Sequence, residues 1–507
     1  MPICPSLARN LTLCALTAMF CQTSTAQSAD PSESQSLQGS SSDASLLADP
    51  APANTALSGN FVRRLFKAYY SDWSSTGASS EPQPAYRGYP APVSGPPFPF
   101  SVWPYGGSVT IGQPWTQSGP LMQAIWSGSQ ADGWKRSGIQ IYGWLNGGFN
   151  ESTSRQSGYS TFPTAYAERG NNIQLDQEVL YIERQPDTVQ TDHIDWGFRI
   201  SGLYGIDYRF TTAKGWFSNQ LLGKNLENGF DMPMAYFDLY IPYVAKGMDI
   251  RIGRYISLPD IEAQLAPNNY MYTHSLLYTF DAYTQTGMTV TTKLNDHWLF
   301  QIGVSPGNDV APWDTSDRKL TLNTCVAYTW RIGLDNLYAC ANSVNDGKYA
   351  YNNLQAYYLT WYHKFAKNGS WHLATESWYQ YERDVPNVNN PQAQSLIEVN
   401  ANGAVCNRLT EVTCFAPEWA VVNYAEKQFS RHDYMSIRNE VFDDLRGQRT
   451  GFRTLYTEHA LGWAHWVGST VLFRPELRFE RAYDTLVYDN ATRRNQLTFS
   501  CDMILFF

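Results

Sequence analysis

Residues 471–481 read VLFRPELRFER, and in an extended strand they sort by chemistry. Arg474, Glu476, Arg478 and Glu480 fall on one face, with Val471, Phe473, Pro475, Leu477 and Phe479 on the other. Two guanidiniums interleaved with two carboxylates bind ions and polar groups. On the lipid side of a membrane each charge costs about 2–4 kcal/mol near the midplane, so the charged face must meet water. Similar alternation places Asp176, Glu178, Asp238, Arg251, Arg438 and Glu440 on inward faces. These residues are the expected lining of a hydrated pore. The alternative is a narrow barrel sealed by internal salt bridges.

A second set lies in residues 257–282, a segment long and apolar for a solvent-exposed loop. A helical turn is expected over Asp260–Ala263, after Pro259. In sixteen-stranded porins the connection between strands five and six folds inward and narrows the pore. By analogy of position, Asp260 and Glu262 would face Arg474 and Arg478 as a constriction loop, producing a transverse field that orients polar solutes. The alternative is a loop packed on the rim or against a neighbouring subunit.

Catalytic patterns are weak. The eight histidines are scattered, with no HExxH and no GxSxG. Strand alternation sends Glu458 and His459 to opposite faces. His372 and Glu376 share a face, but two residues do not make a metal site. No enzyme activity, metal or cofactor is expected.

Of the eight cysteines, Cys4, Cys14 and Cys21 belong to the N-terminal export segment. Cys406 and Cys414 bracket a short loop and are disulfide candidates in an oxidising compartment. Cys325 and Cys340 lie symmetrically about a turn near Ile332-Gly333. They are either opposite each other on paired strands or two unpaired small residues. Cys501 remains, on the lipid side.

The elements that must position these groups are strands. From Gly138 onward about sixteen segments have the length of membrane-spanning strands, about 9–11 residues each, with fourteen or eighteen as alternatives. Their starts include Asn172, Met234, Met248, Glu418, Arg449, Thr470 and Asn495. Short turns such as Ala245-Lys246-Gly247 and Gly468-Ser469 alternate with long connections such as 151–170, 207–232, 257–282 and 384–417. Sorting of loop length by parity marks outer-membrane barrels: short periplasmic turns, long extracellular loops. The final stretch, NQLTFSCDMILFF, has one apolar face and ends at Phe507, resembling the C-terminal assembly signal of such barrels.

The other end fits export. Arg9, the apolar run Leu11–Phe20 and Ser24-Thr25-Ala26 form a signal peptide over residues 1–26, cleaved after Ala26. Residues 27–60 read as a disordered linker. Residues 61–135 read as a periplasmic arm or partial plug: a short basic amphipathic helix over 61–73 that docks, then an irregular Pro/Gly/aromatic stretch over 82–120. Residues 136–507 form the barrel. Only 16% of residues are charged while 15% are aromatic, including 33 Tyr and 17 Trp, which suits aromatic girdles at both membrane interfaces. A mean hydropathy of −0.39 and the lack of a long apolar run exclude a helical membrane protein. A net charge of −9 argues against nucleic acid as a partner.

Several stretches resemble the putative beta-barrel porin-2 family, OmpL-like outer-membrane proteins of Gram-negative bacteria. They include PPFPF and WPYGG within 96–107, QLDQEVLYIERQPDT (174–188) and DHIDWGFRISGLYGIDYRFTTAKG (192–215). RIGRYISLPDIEAQLAPNNYMY (251–272), GNDVAPW (307–313), WYHKF (361–365), RGQRTGF (446–452) and GSTVLFRPELRFE (468–480) extend the likeness. The resemblance covers about 95–507 and implies a porin-like outer-membrane barrel, without a substrate and without functional residues. The expectation is therefore a closed antiparallel transmembrane β-barrel passing small hydrophilic solutes by passive diffusion. Its expected partners are outer-membrane lipids and lipopolysaccharide, the barrel assembly machinery and two further copies in a homo-trimer. The alternative is a non-conducting barrel with a structural or surface-binding role; a barrel hydrolase is third.

Overall fold

The structure, a computed structural model, describes residues 57–74, 111 and 119–507. The exceptions are 157–160, 219–223, 225, 258–259, 332–334, 350–352, 366–370, 399–400 and 431. The signal segment, most of the linker, the Pro/Gly-rich stretch up to residue 118 (bar residue 111) and the turn at Ile332-Gly333 lie outside the described residues.

Among the described residues, three helices precede the sheet: α1 (Phe61–Ser74), α2 (Pro120–Trp126) and α3 (Ala131–Ser137). The described end of the arm is thus helical where irregular chain was expected at Pro120. Gly138, at φ 66°, ends α3 in the left-handed conformation that glycine adopts without penalty, and β1 starts at once. The strands are β1 (Ile139–Ser152), β2 (Asn172–Arg184), β3 (Asp195–Gly205) and β4 (Gly229–Ile241). Then come β5 (Met248–Ile256), β6 (Thr284–Lys293), β7 (Trp298–Ser305) and β8 (Thr321–Arg331). β9 (Asp335–Val344), β10 (Gln355–Lys364), β11 (Trp371–Pro386) and β12 (Thr413–Gln428) follow. β13 (Asp433–Asp444), β14 (Thr454–Val467), β15 (Val471–Ala482) and β16 (Asn495–Phe506) complete the set.

Each strand pairs antiparallel with its sequence neighbours, and β1 pairs with β16, so the sixteen strands close into a barrel. No sheet edge is left open, which is what hydrocarbon demands of backbone donors and acceptors. Two strands begin earlier than expected, each across a proline. Pro233 sits inside β4 at a register shift against β3, and Pro417 sits inside β12, so the strands begin at Gly229 and Thr413 rather than Met234 and Glu418. β14 begins at Thr454 rather than Arg449, because the Asp444 carboxylate binds the N–H groups of Gln448, Arg449 and Thr450 and shapes a turn there.

Outward residues are apolar and exposed, such as Leu461, Leu477 and Phe479. At the short-turn end they become aromatic: Trp298 packs on Tyr328 and Phe365 on Trp371. At the long-loop end Phe149 meets Phe499 and Tyr381 meets Phe415. These are two girdles about a membrane band. No described helix is long and apolar enough to cross a membrane.

Inside, the short-turn end is sealed with aromatic and aliphatic groups, Trp466 stacking on Phe506 near Leu472 and Ile504. This is why Ile504 and Phe506 break the polar alternation of β16. The middle of the barrel is filled by residues 260–282, nearly all buried.

Candidate functional site

The inner wall carries its charges by cross-strand register. Arg474 on β15 faces Asp502 on β16, with Nε 3.0 Å from Oδ1. Arg438 on β13 reaches Glu458 on β14 at 2.8 Å and Glu476 on β15 at 3.3 Å. Arg478 lies 2.9 Å from Glu480 and 3.4 Å from Glu458. On the β2–β5 arc, Arg251 makes a two-pronged pair with Asp238 (2.8 and 2.9 Å), and Arg199 meets Glu183 at 2.6 Å. Arg254 meets Asp231 at 2.8 Å. Paired, hydrogen-bonded charges are the form in which ions are tolerated away from water.

The loop lies directly on this wall. Arg474 donates to the carbonyls of Ala266 (2.8 Å) and Asn269 (2.9 Å), and Arg478 to that of His274 (2.8 Å). Wall carboxylates take the loop's amides: Glu376 that of Ile261 (2.7 Å), Glu476 that of Thr273 (2.9 Å), and Glu440 those of Leu276 and Leu277. Across the seam, Gln177 on β2 accepts from Ala266 N and donates to Gln264 O. Two wall glycines give room. A Cβ at Gly148 would occupy the place of the Tyr272 hydroxyl, and one at Gly462 would press on the Met271 methyl.

Several expectations change on this geometry. Arg474, Glu476, Arg478, Glu480, Arg438, Glu440, Asp176, Asp238 and Arg251 all point inward, yet each is at most 2% exposed. They are covered wall residues rather than groups bare to a lumen, and six of them (Arg474, Glu476, Arg478, Arg438, Glu440 and Asp176) bond to the loop. Glu178 points outward with Tyr204 opposite it, because a bulge between Asn146 and Gly147 sends both Asp176 and Gln177 inward and flips the residues after them. Asp260 and Glu262 do not face Arg474 and Arg478. Asp260 accepts from Ser257 at 2.9 Å, while Glu262 binds Tyr424 at 2.6 Å and lies 3.7 Å from Arg438. The transverse field expected between them and the ladder does not form, since Asp502, Glu458 and Glu480 already neutralise the two arginines. Nor does a helical turn form at 260–263. Its amides go to side chains, Ile261 N to Glu376 and Ala263 N to Asn269. Burial raises the Asp260 carboxyl above the usual carboxylate range.

Alternation reaches inward charges on β2, β4, β5, β13 and β15 but does not single out Glu183, Arg199, Asp231, Arg254 and Gln177, and it gives Glu376 and Glu458 no place in the charged wall. Cross-strand pairing was the missing signal: Glu183 sits opposite Arg199, and Arg474 opposite Asp502. Cys325 and Cys340, register partners on β8 and β9, are joined by a disulfide inside the barrel. Cys406 is joined to Cys414 at the start of β12, and Cys501 is a free thiol. Glu458 is buried while His459 is exposed and bonded to Asn439, so no acid–base pair forms there. His372 and Glu376 both face in and both bond to the loop, at Tyr270 and Ile261.

No curated protein matches this chain in sequence. Among solved structures it is similar to an anion-selective porin from Comamonas acidovorans, at 10% identity and a TM-score of 0.47, covering 73% of this chain and 99% of that one. It is also similar to the outer membrane channel DcaP of Acinetobacter baumannii (8%, TM-score 0.43, 73% and 97% covered). OprB of Pseudomonas putida gives 10%, a TM-score of 0.44, and 77% and 98% covered. The model of one family matches residues 138–507, the whole of the sheet and the loop seated in it. The chain belongs to the family described as putative beta-barrel porin-2, OmpL-like.

Proposed function

We propose that this protein is an outer-membrane porin through which small hydrophilic solutes diffuse passively, with the loop between β5 and β6 setting the width of the path. The observation that carries this reading is unspent polarity inside the barrel. The side-chain amides of Gln264 and Asn268, one oxygen of Glu426 and the hydroxyl of Tyr434 are buried with no hydrogen-bond partner among the described residues. Buried groups of this kind are satisfied by water, and a hydrated interior is what solute passage needs. Membership of a porin family makes a transport role the natural one, and we infer no enzymatic activity. Export through a signal peptide cleaved after Ala26 belongs to the same reading and is checked by the N-terminus of the mature protein.

A second reading, a non-conducting barrel with a structural or surface-binding role, is favoured by the near-complete burial of Arg438, Arg474 and Arg478. Single-channel conductance of the refolded protein in a planar bilayer, with and without residues 27–120, separates the two. Steady steps from the full protein support the porin. Steps only after truncation make the N-terminal region a plug. Silence from both forms, in protein shown by heat-modifiable gel mobility to be folded, overturns the porin and supports the second reading.

A further inference from the structure

We propose that α1 is an interfacial element, lying flat in the headgroup layer of the periplasmic leaflet with its aromatic stripe among phospholipids. The inference rests on the barrel's place in a membrane and is independent of whether solutes pass through it.

One side of α1 is fastened to the short-turn end, the periplasmic end of an outer-membrane barrel. The Asp72 carboxylate accepts from the Ser469 amide (2.8 and 2.9 Å), the Ser469 hydroxyl (2.6 Å) and the Thr470 hydroxyl (2.8 Å). Trp73 Nε1 donates to Thr470 Oγ1 at 2.9 Å, and the Tyr69 hydroxyl donates to the Phe506 carbonyl at 2.8 Å. Ala68 is buried on this side, and Arg64 donates to the Ala124 carbonyl of α2 at 2.9 Å. The helix is therefore held in place, with a definite face turned away from the barrel.

That face is apolar. Val62, Phe66, Tyr70 and Trp73 follow one another at i, i+4, i+8 and i+11, a single stripe at helical period, and each is more than half exposed. Phe66 and Tyr70, at 70% and 74%, are among the most exposed large side chains of the molecule. Water offers no reason to display them. Lipid does, and the stripe starts where the lipid band stops: Trp73 is bonded to Thr470, the residue that precedes the outward-facing Val471 and Phe473 of β15. Trp and Tyr are the residues that settle at membrane interfaces. Arg63 and Lys67 flank the stripe and suit anionic headgroups, while Asp72, the one acid of the helix, is occupied by the turn. At 14 residues the helix is about 21 Å long, too short to span a bilayer and of a length to lie along it.

The test is photocrosslinking of the full-length folded protein in nanodiscs of phosphatidylethanolamine and phosphatidylglycerol. Benzoylphenylalanine replaces Phe66 in one sample and Ser71, on the far side of the helix, in another. Neither side chain holds the helix to the barrel. Phospholipid adducts several-fold more abundant from position 66 than from position 71, by mass spectrometry, are the expected result. Equal yields at the two positions overturn the proposal. So does a crosslink from position 66 to a second copy of the chain, which would make the stripe a subunit interface.

Discussion

The carboxylate of Glu476 on β15 accepts the main-chain N–H of Thr273, 2.9 Å away, and the hydroxyl of the same residue. Thr273 belongs to a loop that leaves the sheet at β5, far round the barrel. The bond is one of a series in which wall charges hold loop backbone: arginines take carbonyls, and carboxylates take amides. The seat is specified by the wall's charge pattern more than by the loop's side chains, and charge-assisted bonds of this kind are stronger than neutral ones.

Removing those charges should loosen the loop without opening the sheet. The double substitution Glu440→Gln, Glu476→Gln weakens hydrogen bonds worth about 1.5–3 kcal/mol each when the acceptor is charged. The expected outcome is a larger and noisier single-channel conductance with unchanged heat-modifiable mobility. An unaltered conductance would mean that the loop is held by other contacts.

The glycine seat offers a steric version. At Gly148→Leu the new side chain occupies the place of the Tyr272 hydroxyl, which bonds to Asp176 at 3.1 Å. The loop must lift near Tyr272. Limited proteolysis should then cut within residues 260–282, where the parent protein resists.

Arg438 is the charge whose loss should cost most. It touches Glu458, Glu476 and Glu262, at 2.8, 3.3 and 3.7 Å. Arg438→Met leaves three carboxylates facing one another, a change of the class that destabilises by about 3–5 kcal/mol. A lowered midpoint in urea unfolding from liposomes checks it; an unshifted midpoint would show that water reaches these acids.

Asp309, in the connection between β7 and β8, accepts from the amides of Tyr283 (3.3 Å) and Thr284 (2.8 Å) and from the Thr284 hydroxyl (2.8 Å). Burial is the largest influence and pushes its carboxyl up to about 6. With the folded value above the ordinary one of about 4, the stabilisation is fully present below about pH 4 and is lost as pH rises through about 6. Hydrogen exchange at the Tyr283 and Thr284 amides, corrected for intrinsic rates, should show more protection at pH 4 than at pH 7.5. Asp309→Asn should abolish the difference.

The cysteines give a chemical count. In a chain lacking residues 1–26, unfolded without reductant, maleimide should label Cys501 alone. After reduction it should also label Cys325, Cys340, Cys406 and Cys414. A second label before reduction would mean that one of the two bridges does not form.

The barrel was legible in the sequence because lipid enforces two rules that survive translation into residue types: apolar alternation along each strand and loop lengths sorted by side. Sixteen strands and the inward ladder of β15 follow from those rules, while the inward fold of the 257–282 segment rests on analogy of position with sixteen-stranded porins. Three things did not. A bulge beside Gly147 leaves no mark in composition, so Glu178 was placed on the wrong face. The strands expected from Met234 and Glu418 begin earlier, because Pro233 and Pro417 are accommodated within β4 and β12. The seating of the loop depends on which strands face each other across the interior. That is a property of closure, and no local window of sequence contains it.

The order of synthesis gives the loop's anchors a temporal meaning. The segment at 260–282 emerges before β11, β13 and β15, yet Glu376, Glu440, Glu476 and Arg474 on those strands hold it, with Gln177 on β2 beyond the seam. While the sheet is still an open ribbon these groups are not gathered round one space, and the loop has nowhere to rest. Its seat exists only after the ribbon has become a ring, so the closed sheet comes first and the seated loop last.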